Sequence, residues 1–262
     1  MRWCRFQANG KVSYGIVEGR NVQPVSGTPF GRHRKSGSPL PLSRVKLLIP
    51  VVPPTFYAAG VNYRTHVMRS AELTGRQANV PTAADIGYRA NNALIANNES
   101  IIVPKDASER IQYEGELVVV IGKQGKHITA DKVWDHILGY SIGNDFSERT
   151  WQGNDRTFWR GKNADTFKPM GPWIETDVDL DSMRTMVRVN GKEVENFKTN
   201  NMLFGISEYI TRMTQYLTLY PGDVIWMGTD GVPQNVHHGD VIEVEITGIG
   251  TLRNPVVVEG HS

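Results

Sequence analysis

The stretch Tyr113-Glu114-Gly115-Glu116-Leu117-Val118-Val119-Val120-Ile121-Gly122 constrains this chain more than any other. Its aliphatic run reads as a buried strand bounded by glycine. Side chains alternate along a strand, so Glu114, Glu116, Val118 and Val120 share one face, with the two glutamates about 7 Å apart at Cα. Burying one unpaired carboxylate costs several kcal/mol or forces it to protonate, and a second beside it makes that worse. A fold that buries this strand must bring positive charge to that face, and a divalent metal is the economical answer. The alternative is a strand whose start protrudes, leaving both glutamates solvated.

The 262 residues suffice for one large domain, or for a large domain with a small appendage. The 29 basic and 27 acidic residues are mixed throughout and leave a net charge of +2. With no basic block to neutralise phosphates, a nucleic-acid scaffold is excluded. Cys4 is the only cysteine, which excludes an internal disulfide and a cysteine-rich zinc site and fits a reducing cytoplasm. No apolar run is long enough for a signal peptide or a membrane span, so a soluble cytoplasmic protein with no membrane partner is expected.

Turns at Asn9-Gly10 and Glu18-Gly19-Arg20-Asn21 divide residues 1–25 into a small antiparallel sheet. A Gly-, Pro-, Ser- and Arg-rich stretch over 27–43 reads as a loop leading to a strand at 45–49. A boundary near residue 52 gives a small domain, 1–52, and a large one, 53–262. After a strand at 55–61, residues 64–78 hold helical potential that Thr74-Gly75 interrupts and Pro81 ends, so a mobile flap carrying His66 is expected. Strands follow at 101–103, 114–121, 138–142, 186–189, 224–227 and 241–246. Helices are expected after Asp131 and over 202–215, where Leu203, Ile206, Ile210 and Met213 recur at helical spacing. So many strands with so few helices imply a rolled or closed mixed sheet, not a doubly wound parallel one.

Asp145 is a third carboxylate placed just past a strand. If a helix starts after residue 147, Arg149 and Gln152 point the same way as Asp145; the competing reading makes Asp145 or Ser147 an ordinary N-cap. Lys162, among aromatic and small residues, is a cation that near such a centre could stabilise an enolate or oxyanion. Gly139-Tyr140-Ser141-Ile142-Gly143 matches the G-x-S-x-G elbow, with Asp165 and His237 as nominal partners, but Ser141 falls inside a strand and the match reads as accidental. His237-His238 precede a Gly-Asp turn and read as solvated loop residues rather than metal ligands.

Taken in order, Gly60-Val61-Asn62-Tyr63 with His66, YEGELVVVIGK, GYSIGNDFSERTWQ, RGKNADTFKPMGPW, VNGK, YPGDVIWMGTDGV and HHGDVIEVEITGIGTL resemble the fumarylacetoacetate hydrolase family, from about residue 55 to the end. The resemblance implies a mainly β fold with α/β elements: a rolled mixed β-sheet catalytic domain behind a small N-terminal domain, assembled as a homodimer. It implies Glu114, Glu116 and Asp145 as ligands of a divalent metal, Mg²⁺ foremost with Mn²⁺ or Ca²⁺ as alternatives. It implies Lys162 as the active-site lysine, Arg149 and Gln152 facing the substrate, and Thr229 holding a substrate carboxylate. His66 would be the flap base. The implied reaction is hydrolysis of a carbon-carbon bond in an acylpyruvate-like 2,4-dioxo acid, with decarboxylation or keto-enol isomerisation of a 2-oxo acid on the same enolate as alternatives. A catalytically silent binder of metal and 2-oxo acid is the non-enzyme alternative. Two departures stand out. Many members place a glutamate three residues after the flap histidine; here that position is Arg69, and Glu72 is the nearest acid that could pair with His66. The segment Ile86–Asn92 also differs, and its Arg89 reads either as a partner for an anionic substrate tail or as a surface arginine.

Overall fold

The computed structural model describes residues 1–75 and 77–260. Strands β1 (Arg2–Ala8) and β2 (Lys11–Glu18) form a hairpin closed by Asn9-Gly10, whose φ values of 49° and 77° give the turn that matches strand twist. Strand β3 (Asn21–Gly27) continues the antiparallel sheet. The stretch 27–43, expected to be a loop, carries two short strands, His33–Lys35 and Leu40–Pro41. Both add to β3. Their sequence is polar and aperiodic; an open sheet edge, not local propensity, makes them strands.

The remainder contains β4 (Phe56–Ala59), α1 (Arg64–Thr74), β5 (Gly115–Ile121), β6 (Ile137–Asn144), α2 (Arg149–Asn154), β7 (Lys168–Glu175), β8 (Arg184–Val189), β9 (Lys192–Lys198), α3 (Ile206–Thr214), β10 (Val224–Trp226), β11 (Val241–Ile246) and β12 (Gly250–Val258). The large sheet runs β3-β2-β1-β7-β6-β5-β10-β4, with short strands at both ends. Most pairs are antiparallel, but β10 and β4 are parallel. A second sheet runs from Ile101–Val103 through β12, β11 and β8 to β9. The chain is thus mainly β with mixed sheets. The helix expected after Asp131 is a 3₁₀ segment, Ala130–His136, while the one expected over 202–215 is α3.

Strand β5 is buried along its whole length. On one side Val118 and Val120 pack with Phe56, Met170, Trp226 and Trp3 of the N-terminal sheet. On the other, Leu117, Val119 and Ile121 meet Val187, Val244 and Leu252 of the second sheet and Ile206, Ile210 and Met213 of α3. Each such aliphatic side chain contributes about 1.5–3 kcal/mol by burial. Gly115 faces that second sheet, where an added Cβ would lie 2.9 Å from Val244. The close approach of the two sheets beneath Gly115 fixes the start of β5, and with it the glutamates on either side.

A candidate metal centre and its flap

The β5–β6 register assembles the acidic trio. Gly115 pairs with Asn144 and Glu116 with Gly143, so Asp145, one residue past β6, comes level with Glu114. The Asp145 amide donates to the Glu114 carbonyl at 2.8 Å, and the Glu114 amide to Asn144 Oδ1 at 2.9 Å. All three carboxylates are buried, and one oxygen from each lies within 4.8 Å of the others. Among the described residues no other group of three His, Cys, Asp or Glu side chains is arranged in this way.

Cations crowd two of the three acids. Lys162 Nζ bonds both Glu114 Oε2 and Asp145 Oδ2. Arg149 Nη2 donates to Glu114 Oε1 at 2.7 Å. Arg89 grips Asp145 through Nη2 and Nε, at 2.8 and 3.3 Å, and Lys168 Nζ reaches Asp145 Oδ1 at 2.8 Å. Burial alone would raise the Glu114 carboxyl, but Arg149 and Lys162 bring it down to about 2. Burial is likewise overcome at Asp145, where Arg89, Lys162 and Lys168 hold it well below the usual carboxylate range. Glu116 is different. It accepts the Gly228 amide at 2.9 Å and has no ion pair among the described residues. Burial, with Asp145 and Glu114 beside it, pushes it up to about 8. A hard divalent cation among these oxygens would supply the charge Glu116 lacks, and the donor set fits such an ion.

The helix α2 begins on Glu148, whose side chain accepts from the Trp151 amide; the N-cap is therefore neither Asp145 nor Ser147. Arg149 and Gln152 do meet: Arg149 Nη1 donates to Gln152 Oε1 at 2.8 Å. Arg89 is not a freely solvated surface arginine: its side chain is mostly covered and paired to Asp145 of the trio. Thr229 is buried beside Gly228, and its hydroxyl has no hydrogen-bond partner among the described residues.

Residues 64–74 form α1, ended by Gly75 in the left-handed conformation. His66 Nδ1 lies 2.7 Å from the Gly231 carbonyl. A carbonyl can only accept, so Nδ1 carries the proton of this contact, and Nε2 is the ring nitrogen left for another partner. Asp230 accepts from the His66 amide and the Thr65 hydroxyl, satisfying donors of the first turn. Glu72 is exposed and sits six residues on, about 240° round the helix from His66, so α1 does not bring this pair together. A cavity of about 620 Å³ opens between α1 and α2, bounded by His66, Ser70, Arg110, Gln112, Arg149 and Gln152.

Ser141 lies inside β6 opposite Val118 and donates its hydroxyl to the Trp173 carbonyl at 2.8 Å, with no strand-turn-helix around it. His237 is exposed and 3.7 Å from Asp240. Three charged residues at or near the site were missed in the sequence: Lys168, Glu195 and Asp230. Lys168, fully buried at the start of β7 between Phe167 and Pro169-Met170, interrupts an apolar stretch as Glu116 does in β5 and was the one available signal. Glu195 and Asp230 sit in polar surroundings that give none.

Fold and site together define a rolled mixed-sheet protein with a buried all-oxygen centre able to hold a divalent cation. The chain belongs to the fumarylacetoacetate hydrolase family: the family model described as fumarylacetoacetate (FAA) hydrolase, C-terminal, matches residues 55–257, and one described as Rv2993c-like, N-terminal, matches residues 1–50. It is 36% identical over 270 residues to Protein Rv2993c of Mycobacterium tuberculosis, covering 99% of each chain. It is 36% identical over 233 residues to the mitochondrial oxaloacetate tautomerase FAHD2A of Bos taurus, covering 83% of this chain and 71% of that one. The crystal structure of a 2-hydroxyhepta-2,4-diene-1,7-dioate isomerase from Mycobacterium marinum superposes with a TM-score of 0.89 at 34% identity, covering 100% of both chains.

Proposed function

We propose that this chain is a divalent-metal-dependent enzyme that stabilises the enolate of a small 2-oxo acid and moves a proton to or from it, as a keto-enol tautomerase or isomerase. The observation that carries this reading is the buried trio whose member Glu116 has no ion pair among the described residues, with His66 within electrostatic reach of Glu114 and its Nε2 not taken by the Gly231 carbonyl. Two relatives above 30% identity are named for such proton transfers, a tautomerase and an isomerase.

Glu114, Glu116 and Asp145 would hold the ion. When bound, a Mg²⁺ or Mn²⁺ ion supplies positive charge that lowers the energy of an enolate. The unsatisfied Thr229 hydroxyl would take the substrate carboxylate. Arg149 and Gln152, at the cavity wall, would orient the rest of the molecule. Lys162, fixed between Glu114 and Asp145, would be the charge aimed at the developing oxyanion. His66 Nε2 would take the proton from carbon or enol oxygen and return it to the other, contributing about 100- to 10,000-fold. Arg89, committed to Asp145, would hold that carboxylate and add positive charge next to the substrate.

Hydrolysis of an acylpyruvate is the second reading, favoured by the room beside His66: the 620 Å³ cavity admits an acyl chain and the water His66 would deprotonate. That reaction would yield pyruvate and a carboxylic acid. One experiment separates the two. The purified chain is given Mn²⁺ and either enol-enriched oxaloacetate or a panel of acylpyruvates, and enol absorbance and pyruvate are followed with and without chelator. Chelator-sensitive enol decay without pyruvate supports the first reading, and pyruvate from an acylpyruvate supports the second. Turnover indifferent to chelation contradicts both.

A further inference from the structure

The chemistry above leaves one carboxylate unused. Glu195, on β9, has both carboxylate oxygens buried and, among the described residues, without a hydrogen-bond partner. It lies directly on Gly231, where an added Cβ would stand 1.7 Å from Glu195 Oε2. Only glycine at 231 leaves room for that carboxylate. The same Gly231 gives its carbonyl to the His66 ring, and its neighbour Asp230, which takes the first-turn donors of α1, keeps its Oδ1 without a hydrogen-bond partner among the described residues. Two carboxylates thus flank the short loop on which α1 is seated.

The charges facing Glu195 are Glu114 and Asp230, which with burial push it up to about 8, and Arg69 and Arg149, which oppose them. Tyr113 also stands within its field. Arg149 is fully engaged with Glu114, Gln112 and Gln152. Arg69 is exposed, one turn after His66 on α1, and its field reaches both Glu195 and Asp230. A guanidinium is planar, permanently charged and weakly hydrated, and it suits a seat shared by two carboxylates.

We infer that Glu195 is a positioning residue: with Asp230 it forms a carboxyl seat for Arg69, and engagement of that arginine brings Glu195 to its charged form and holds α1 down so that His66 stays close to the acidic trio. The role rests on His66 as the base of the proposed reaction. It explains how a chain with arginine three residues after that histidine fixes its flap. The ring is oriented by the Gly231 carbonyl, and the helix is anchored by a charge pair running from α1 to β9. Closure of this kind excludes water from the reacting centre.

The test is hydrogen exchange over the α1 amides of the full chain, with MnCl₂ and with oxalate as a probe for the carboxylate and 2-oxo oxygens. Four proteins are compared: the parent, Glu195→Gln, Arg69→Gln and the double variant. In the parent, Mn²⁺ with oxalate should slow α1 exchange by roughly tenfold or more, the fold-change of a state favoured by one such charge contact. Each single variant should lose most of that protection, the double variant should lose no more than either, and Arg69→Lys should recover part of it. Mn²⁺ affinity should stay unchanged throughout, and Glu195→Gln should not lower Tm near neutral pH, since without Arg69 engaged the carboxyl already carries a proton and the amide matches its shape. Full protection in Arg69→Gln, or losses that multiply in the double variant, would overturn the role of Glu195 alone. A parent chain that binds neither Mn²⁺ nor oxalate would overturn the metal reading and this one with it.

Discussion

Lys162 shows how single residues set the state of this site. Its Nζ joins Glu114 to Asp145, two anions on different stretches of backbone, and all three side chains are buried. Removing one partner of a buried charge network leaves the others uncompensated, at about 3–5 kcal/mol. Lys162→Met should therefore lower the stability of the metal-free chain by about that amount, read from denaturant melts, and Mn²⁺ should restore part of it. Turnover should stay down by about 100- to 1,000-fold even with Mn²⁺ saturating, because the charge aimed at the oxyanion is gone. Full recovery of rate with metal would mean that Lys162 serves the fold alone.

Between elements, the site depends on how closely β6 and β10 approach. Gly143 is paired with Glu116, and a Cβ there would stand 2.7 Å from the Trp226 ring. Gly143→Ala should overpack this contact by about 1–3 kcal/mol, lower Tm by several degrees and weaken Mn²⁺ binding, because Glu116 moves with its strand partner. Gly153→Ala, with nothing within 4 Å of the added carbon, is the control and should leave both unchanged or slightly raise Tm. The contrast also shows what the sequence could reveal. Glu114 and Glu116 are readable because two charges at strand spacing violate an apolar run, and Asp145 because it follows a strand end. That Asp145 stands level with Glu114 depends on a register no local pattern states. Glu195 is invisible for the same kind of reason: in Lys192–Lys198 polar residues are the rule, and only the folding of β9 beneath the 230–231 loop buries one of them. Glu72 misled because chain proximity to His66 is not proximity on a helix.

Across the whole molecule, the N-terminal strands and the strands that carry the acidic trio are one hydrogen-bonded sheet, joined where Arg2 pairs with Glu175. A chain beginning at residue 53 would expose the edge of β7, so it should aggregate or melt well below the parent in light-scattering and thermal scans; an equally stable monodisperse fragment would contradict this. Stability should also depend on pH. The Glu116 and Glu195 carboxyls rise from the ordinary 4.5 to about 8 on folding, so the native state holds protons there that the unfolded chain has released. Their contribution is fully present below pH 4.5 and is lost as pH rises to about 8, whereas that of Glu114, lowered to about 2, is lost only as pH falls below 4.5. Tm of chelator-treated protein should therefore fall between pH 5 and 8, by the equivalent of about a few kcal/mol, and Mn²⁺ should flatten the slope. The most direct measurement is calorimetric titration with Mn²⁺ near neutral pH in two buffers of different ionisation enthalpy, for the parent and for Glu116→Gln. The parent should bind one ion per chain with release of a proton from Glu116, and the variant should bind at least about 100-fold more weakly without that release; equal binding by the two, or none by the parent, would contradict a metal centre built on this trio.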